Sequence, residues 1–137
     1  MANLILVDDD RDIADTLAEF LREQGHHVRI AANGAEGLRL LDEGHPDAVL
    51  LDVEMPVLDG PRMAHSMFLY DLGREQVPIL FLSGVADLER VAAHVGTPYY
   101  LPKPFSLDRL LHMLTRVLRE RAAPTYPDEP RPPHARR

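Results

Sequence analysis

The sequence has no cysteine, no tryptophan and only one lysine among its 15 basic residues. Without cysteine, disulfide bonds, thiolate catalysis and zinc or iron–sulfur sites with cysteine ligands are excluded. No apolar run approaches the ~20 residues that cross a bilayer, and no signal peptide is recognisable, so we expect a cytoplasmic protein with no membrane contact. The formal net charge of -7 argues against direct binding to a polyanion such as DNA.

The 137 residues are 45% hydrophobic and 27% charged, a composition that suits one folded domain. We place this domain at residues 1–121. Residues 122–137 include five prolines and show no apolar periodicity, which predicts a disordered tail. Because so short a tail cannot hold a DNA-binding or catalytic output domain, we expect a stand-alone domain.

Short apolar runs at 4–7, 48–51 and 79–82 each end abruptly at a polar residue or glycine. Continuous apolar runs of this length are typical of strands buried on both faces of a parallel sheet. Weaker strands are predicted at 27–31 and 99–101.

Helical apolar periodicity fills the intervals between these strands, and Ser106 is a good N-cap for the last and strongest helix. Regular alternation of strand and helix predicts an α/β fold with a doubly wound, five-stranded parallel sheet. A strand order of 2-1-3-4-5 would place strands one and three side by side.

Chemically active side chains stand at the carboxyl ends of four predicted strands. Asp8 and Asp9 follow strand one, Asp52 follows strand three, Ser83 ends strand four and Lys103 follows strand five. Open parallel α/β sheets bind ligands at this edge. Each residue alone has an ordinary explanation, such as a helix cap, a backbone-capping hydroxyl or a surface lysine. These explanations do not account for the shared edge.

Carboxylates so close together repel one another. Two unit charges ~4 Å apart repel by roughly 4 kcal/mol at an effective dielectric constant of 20, so either a carboxyl group is protonated or a cation lies among them. Hard oxygen ligands suit Mg²⁺, which shares carboxylates with phosphate oxygens. The single Lys103 would add a compact positive charge for a phosphate oxygen.

Four motifs carry a family resemblance. In chain order they are LILVDDD (4–10), LLDVEMPVLDG (50–60), ILFLSG (79–84) and YLPKPF (100–105). Together they resemble the receiver domain of response regulators in bacterial two-component systems, over roughly residues 3–120. The resemblance implies a flavodoxin-like receiver fold with strand order 2-1-3-4-5.

The resemblance also implies that a sensor histidine kinase or a phosphotransfer protein phosphorylates Asp52 in the presence of Mg²⁺. Asp9 and Asp52 would bind the ion directly, together with the backbone carbonyl of Glu54, and Asp8 would act partly through water. Such a domain catalyses only its own phosphorylation and dephosphorylation and is not a conventional enzyme.

By the same resemblance, Ser83 and Lys103 would each bind a phosphoryl oxygen, and the Lys103–Pro104 peptide bond would be cis. Tyr100 would be the aromatic switch residue. Phosphorylation would then change the face built by helix four, strand five and helix five, which would dock a protein target or a second copy of the chain.

The sequence departs from the family around helix four. The stretch from Ser83 to Lys103 is shorter than usual, and Gly96-Thr97-Pro98 replaces the usual Gly-Ala step. The departures predict altered switching with intact phosphorylation chemistry.

Two other functions stay open. One is a receiver-fold binding module that works without phosphorylation, which the region of helix four favours. The other is a Mg²⁺-dependent phosphatase with an aspartate nucleophile, although Glu54 stands where such enzymes carry a second aspartate.

Overall fold

A computed structural model of the protein describes residues 1–69, 72–127 and 129. Within this part of the chain, five parallel strands form one sheet in the order β2-β1-β3-β4-β5, which confirms the predicted fold class. The strands are β1 (Asn3–Val7), β2 (His27–Ala31), β3 (Ala48–Leu51), β4 (Ile79–Ser83) and β5 (Tyr99–Pro102).

The helices lie between the strands in sequence, and the last helix follows β5. They are α1 (Arg11–Glu23), α2 (Gly34–Glu43), α3 (Gly60–Phe68), α4 (Leu88–Val95) and α5 (Leu107–Glu120), with a 3₁₀ turn at Arg74–Gln76. The side chain of Ser106 accepts a hydrogen bond from the backbone N–H of Arg109 and caps α5. Asp10 caps α1 in the same way, because a short side-chain acceptor satisfies an N–H group that the first turn leaves free.

The central strands are apolar because helices cover both faces of the sheet. Every residue of β3 and β4 is buried. One apolar layer lies under α1 and α5 and includes Leu17 and Leu110, and the other lies under α2, α3 and α4 and includes Leu41, Met63 and Ala92. All neighbouring strands are parallel, so their carboxyl ends lie along a single edge of the sheet. We call this the carboxyl edge. The opposite edge is the amino edge.

The predicted disordered tail differs from the structure over residues 122–127 and 129. Pro124 is buried, and Tyr126 is 4% exposed within the apolar layer under α3 and α4. The segment has no apolar periodicity because a single aromatic ring, that of Tyr126, holds it against the domain. Residues 128 and 130–137 of the predicted tail lie outside the described residues.

The third helix ends at Phe68, and its C-cap is Leu69. Within the described part of the chain, no helix is both long and apolar enough to cross a bilayer.

Candidate functional site: an acidic cluster with one lysine

The acidic cluster forms because β1 and β3 are neighbours in register. Val7 pairs with Leu51, and the backbone N–H of Asp52 continues the ladder by donating to the carbonyl of Val7 at 3.0 Å. The next residues along both strands are therefore side by side. Carboxylate oxygens of Asp8, Asp9 and Asp52 lie within 4.8 Å of one another.

Asp8 is the buried member of the cluster, with 4% exposure. One of its oxygens accepts from the backbone N–H of Asp10 at 2.9 Å, and the other lies 3.0 Å from Nζ of Lys103. Asp10 turns away from the cluster, and its side chain caps α1 by accepting from the backbone N–H of Ile13. Asp9 is exposed and can reach a ligand from solvent.

Lys103 comes from the far side of the sheet, just after β5. Its backbone N–H donates to the carbonyl of Ser83 at 2.9 Å, and the Lys103–Pro104 peptide bond is cis, as the resemblance implied. The ammonium group lies 3.0 Å from Asp8 and 3.8 Å from Asp52. One lysine thus offsets part of the charge of two carboxylates.

The environment of Asp52 raises the pKa of its carboxyl group. Burial is the largest cause, because it disfavours the charged form, and the negative charge of Asp8 acts in the same direction. The charge of Lys103 and hydrogen bonds from Val53 N–H and Ser83 oppose the shift without cancelling it. The Val53 hydrogen bond is 2.7 Å long. The negative charge of Asp52 is therefore incompletely balanced by its surroundings, and an added cation would favour its ionised form.

Ser83 is the buried last residue of β4, and its hydroxyl oxygen accepts from Val85 N–H at 3.4 Å. The same hydroxyl is close enough to Asp52 to help lower the pKa of that carboxyl group. Five of the predicted site residues therefore come together at the carboxyl edge: Asp8, Asp9, Asp52, Ser83 and Lys103.

The other two predicted site residues are placed differently. Glu54 is exposed, and its carboxylate is not one of the three that converge, so only its backbone carbonyl remains a predicted ligand. Tyr100 is half-buried in β5 and packs against the apolar layer under α4. This position suits a residue that relays a change without touching the cluster.

Gly60 is a residue whose importance the sequence did not show directly. A Cβ atom there would collide with the backbone carbonyl of Asp52, and its N–H donates to the carbonyl of Val53 at 2.9 Å. The absence of a side chain lets the start of α3 close against the residue that bears the central carboxylate. The Asp-Gly pair at 59–60 was the only signal.

The donor set fits a hard divalent cation. Three carboxylates converge, one of them exposed to solvent, and the only nearby positive charge among the described site residues is Lys103. Mg²⁺ prefers oxygen ligands and keeps several waters, so a site with few protein ligands and one open side is suitable.

Comparison with known proteins assigns the family. The family model described as "Response regulator receiver domain" matches residues 4–115. The chain belongs to the response regulator receiver domain family, a family of signalling domains.

Among curated proteins, "Response regulator MprA" from Mycobacterium sp. (strain KMS) is 40% identical over 129 residues, which are 93% of this chain and 55% of the relative. "Transcriptional regulatory protein PrrA" from Mycobacterium tuberculosis (strain ATCC 25618 / H37Rv) is 38% identical over 122 residues, which are 88% of this chain and 51% of the relative. The chain spans about half the length of these curated relatives.

Solved structures show the same architecture. A CheY-like response regulator receiver domain protein from Methanospirillum hungatei JF-1 has a TM-score of 0.77 at 26% identity, covering 88% of this chain and 96% of that one. The response regulator protein TrrA from Thermotoga maritima, crystallised in complex with Mg(2+)-BeF, has a TM-score of 0.75 at 28% identity, covering 86% of this chain and all of the other.

Proposed function

We propose that this chain accepts a phosphoryl group on Asp52 from a phosphohistidine of a histidine kinase or phosphotransfer protein. The observation that carries the proposal is the convergence of three carboxylates, one serine hydroxyl and one ammonium group at the carboxyl edge. A structural ion pair would need one carboxylate and one lysine, whereas a phosphoryl site needs a nucleophile, donors for its oxygens and ligands for a cation.

In the transfer step, a carboxylate oxygen of Asp52 attacks the phosphorus atom and forms an O–P bond. The P–N bond to the donor histidine breaks, and its electron pair returns to the imidazole nitrogen, which takes up a proton. Ser83 and Lys103 bind the phosphoryl oxygens. Both are already beside Asp52, so little rearrangement is required.

Asp9, Asp52 and the backbone carbonyl of Glu54 would hold Mg²⁺, with Asp8 acting partly through water. When bound, the ion supplies positive charge that offsets the carboxylates and the phosphoryl oxygens. The raised pKa of Asp52 is consistent with this assignment, because burial and Asp8 leave its charge incompletely balanced.

The acyl phosphate on Asp52 ends by hydrolysis, when water attacks phosphorus and returns the free carboxylate. Glu54 is exposed and only two residues beyond Asp52, so its side chain can influence the approach of water. The rate of this hydrolysis therefore sets how long the phosphorylated state lasts.

The phosphodonor partner docks beside the site. Apolar side chains of α1, of the loop after β5 and of the start of α5 line a groove next to Lys103. Ile13, Pro104, Phe105 and Leu107 are exposed or half-exposed, and the buried Leu17 also lines the groove. Ile13 is 39% exposed and Leu107 is 40% exposed. An apolar groove that ends at the reactive edge suits a helical partner presenting a phosphohistidine.

The phosphorylated form signals through the face built by α4, β5 and α5. Binding of a phosphoryl oxygen by Ser83 changes the packing next to Tyr100, which lies on β5 within that face. The occupant of the face is a protein target or a second copy of the chain, and the net charge argues against direct contact with DNA.

Phosphotransfer from purified histidine kinases of the host tests the proposal. Each kinase is labelled with radioactive phosphate, and label on this chain is measured at short times. We expect rapid transfer from at least one kinase to the wild type and none to Asp52→Asn. Full transfer to Asp52→Asn would show that another residue is the nucleophile. Turnover of a generic phosphomonoester would instead favour the phosphatase alternative, and inertness to every phosphodonor would favour the binding module.

A further inference from the structure

The segment after α5 forms a strap across the amino edge of the sheet. We define the strap as residues 122–127 and 129. It follows Arg121, the C-cap of α5, which adopts a left-handed conformation with φ 51° and pairs with Asp47 at 2.8 Å. The backbone N–H of Ala122 then donates to the hydroxyl of Tyr99 at 3.1 Å. The chain thus turns back around the end of β5, towards α4.

The strap holds the C-terminal end of α4 through the backbone. Thr125 N–H donates to the carbonyl of Gly96 at 3.1 Å, and Tyr126 N–H donates to the carbonyl of Val95 at 2.9 Å. Carbonyl groups at a helix C-terminus lack partners within the helix. The strap provides these partners, so its position and that of α4 depend on each other.

The strap also holds α3. The ring of Tyr126 packs on the ring of Phe68 with centroids 4.7 Å apart, and Glu129 pairs with Nδ1 of His65 at 2.7 Å. One short segment therefore connects α3 and α4 and fixes the distance between their C-terminal ends.

Gly96 makes this close approach feasible. A Cβ atom at Gly96 would collide with the side chain of Thr125 and lie 2.8 Å from Cδ of Pro127. Gly96 also has a φ of 86°, which glycine adopts without strain. Residue 96 is thus suited both to ending α4 and to receiving the strap.

Docking of the strap is imperfect in one respect. The hydroxyl of Tyr126 is buried and has no hydrogen-bond partner among the described residues, and Tyr126 has a left-handed φ of 49°. Burial of the ring favours docking, whereas the unpaired hydroxyl and the backbone conformation oppose it. The strap is therefore held less tightly than burial of its ring alone would imply.

We propose that the strap is a clamp on α4 that opposes the movement of the α4–β5–α5 face. The proposal rests on the proposed function in one respect, namely that phosphorylation of Asp52 is the event that moves this face. The contacts that form the clamp lie at the amino edge and do not depend on that function. Because coupling between two sites is reciprocal, any event at Asp52 that shifts α4 must weaken the strap, and release of the strap must favour that event.

Hydrogen exchange of the full chain, measured by mass spectrometry, tests the clamp. Wild type and Tyr126→Ala are compared with and without Mg²⁺ and beryllofluoride, a phosphoryl mimic. In Tyr126→Ala we expect faster exchange in the strap and in the last turn of α4. We also expect beryllofluoride to half-saturate the site at a concentration at least about 5-fold lower, the lower end of ordinary coupling between sites.

Three further variants keep the result interpretable. Val28→Ala removes buried apolar volume from the other apolar layer and should change neither α4 exchange nor half-saturation. Tyr126→Phe keeps the ring and removes the unpaired hydroxyl, so both measurements should stay at wild-type values or shift slightly in the direction opposite to Tyr126→Ala. If Tyr126→Ala does not fold, His65→Ala removes the side chain that pairs with Glu129 of the strap at a half-exposed position and should give the same changes to a smaller extent.

The outcomes separate the clamp from the proposed function. If the strap is released in Tyr126→Ala but α4 exchange and half-saturation stay at wild-type values, the clamp is wrong and the proposed function stands. If the wild type does not respond to beryllofluoride at all, the proposed function fails. In that case only the hydrogen exchange of α4 tests the clamp. Equal protection of α4 in Tyr126→Ala and the wild type would then contradict it.

Discussion

The ammonium group of Lys103 lies 3.0 Å from the buried carboxylate of Asp8, although 95 residues separate them in the sequence. The contact joins the end of β5 to the end of β1 across the carboxyl edge, passing over Asp52. It explains why this position needs a compact ammonium group on a flexible stem, which the planar guanidinium group of arginine does not replace. The electrostatic balance of the site depends on this pair.

Lys103→Met should destabilise the protein at neutral pH by about 2 kcal/mol, because it leaves a buried carboxylate without its partner. The charge of Lys103 lowers the pKa of Asp52, so its removal raises that pKa further. Protonation then relieves the repulsion, and the loss of stability should shrink as pH falls towards 5. Urea unfolding at both pH values measures the difference. A loss that is equal at the two pH values would contradict the electrostatic explanation.

Asp52→Asn should stabilise the protein at neutral pH by on the order of 1 kcal/mol, because it removes one of the converging charges and keeps an acceptor for Val53 N–H. The pKa of Asp52 is raised in the folded state, so the folded protein binds the proton more tightly than the unfolded chain. The negative charge of Asp52 therefore lowers the stability of the folded protein only when the pH rises above the ordinary pKa of an aspartate. Thermal unfolding should show no gain at acidic pH and a gain that grows towards neutrality.

Asp87→Asn is the matched control for this measurement, since Asp87 is exposed and its side chain makes no capping hydrogen bond to α4. It should change the midpoint of unfolding little at any pH. A similar gain from both variants would mean that the effect reflects net charge and not the cluster.

Mg²⁺ should raise the unfolding temperature of the wild type, and EDTA should reverse the rise. At a concentration ten times the dissociation constant, binding to the folded state alone adds about 1.4 kcal/mol. Asp9→Asn should abolish most of this gain without a large effect on stability in EDTA, because Asp9 is exposed. Equal stabilisation of wild type and Asp9→Asn by Mg²⁺ would place the ion elsewhere.

Tyr126→Phe should leave the protein at least as stable as the wild type, with a gain of up to about 1 kcal/mol, since it removes a buried hydroxyl that has no partner among the described residues. Tyr126→Ala should cost about 3 kcal/mol through loss of the buried ring. Chemical unfolding of the three proteins gives both values. A loss of stability in Tyr126→Phe would mean that the hydroxyl is hydrogen-bonded, for example by an internal water.

Much of the architecture is encoded locally and could be predicted from the sequence. The apolar runs mark β1, β3 and β4 because helices cover both faces of the sheet, and Ser106 marks the start of α5 through its capping hydrogen bond. The convergence of Asp8, Asp9 and Asp52 follows from strand order alone, since parallel neighbours end at the same edge.

Features that depend on contacts between distant segments could not be predicted. Thr97 was noted only as a departure from the family, yet it is buried and bridges two strands: its hydroxyl donates to the carbonyl of Ile79 at 2.6 Å and accepts from Tyr99 N–H at 3.2 Å. Tyr126 was placed in a disordered tail because no sequence pattern shows that Phe68 lies within reach. Such contacts become visible only when the chain is folded.

Phosphorylation of Asp52 is tested most directly by the intact mass of the protein after incubation with acetyl phosphate and Mg²⁺, followed by mapping of the modified peptide. We predict one added phosphoryl group on Asp52 that is lost on treatment with hydroxylamine, as an acyl phosphate should be, and no adduct on Asp52→Asn. An unmodified wild type, in a sample whose site binds Mg²⁺, would contradict the account.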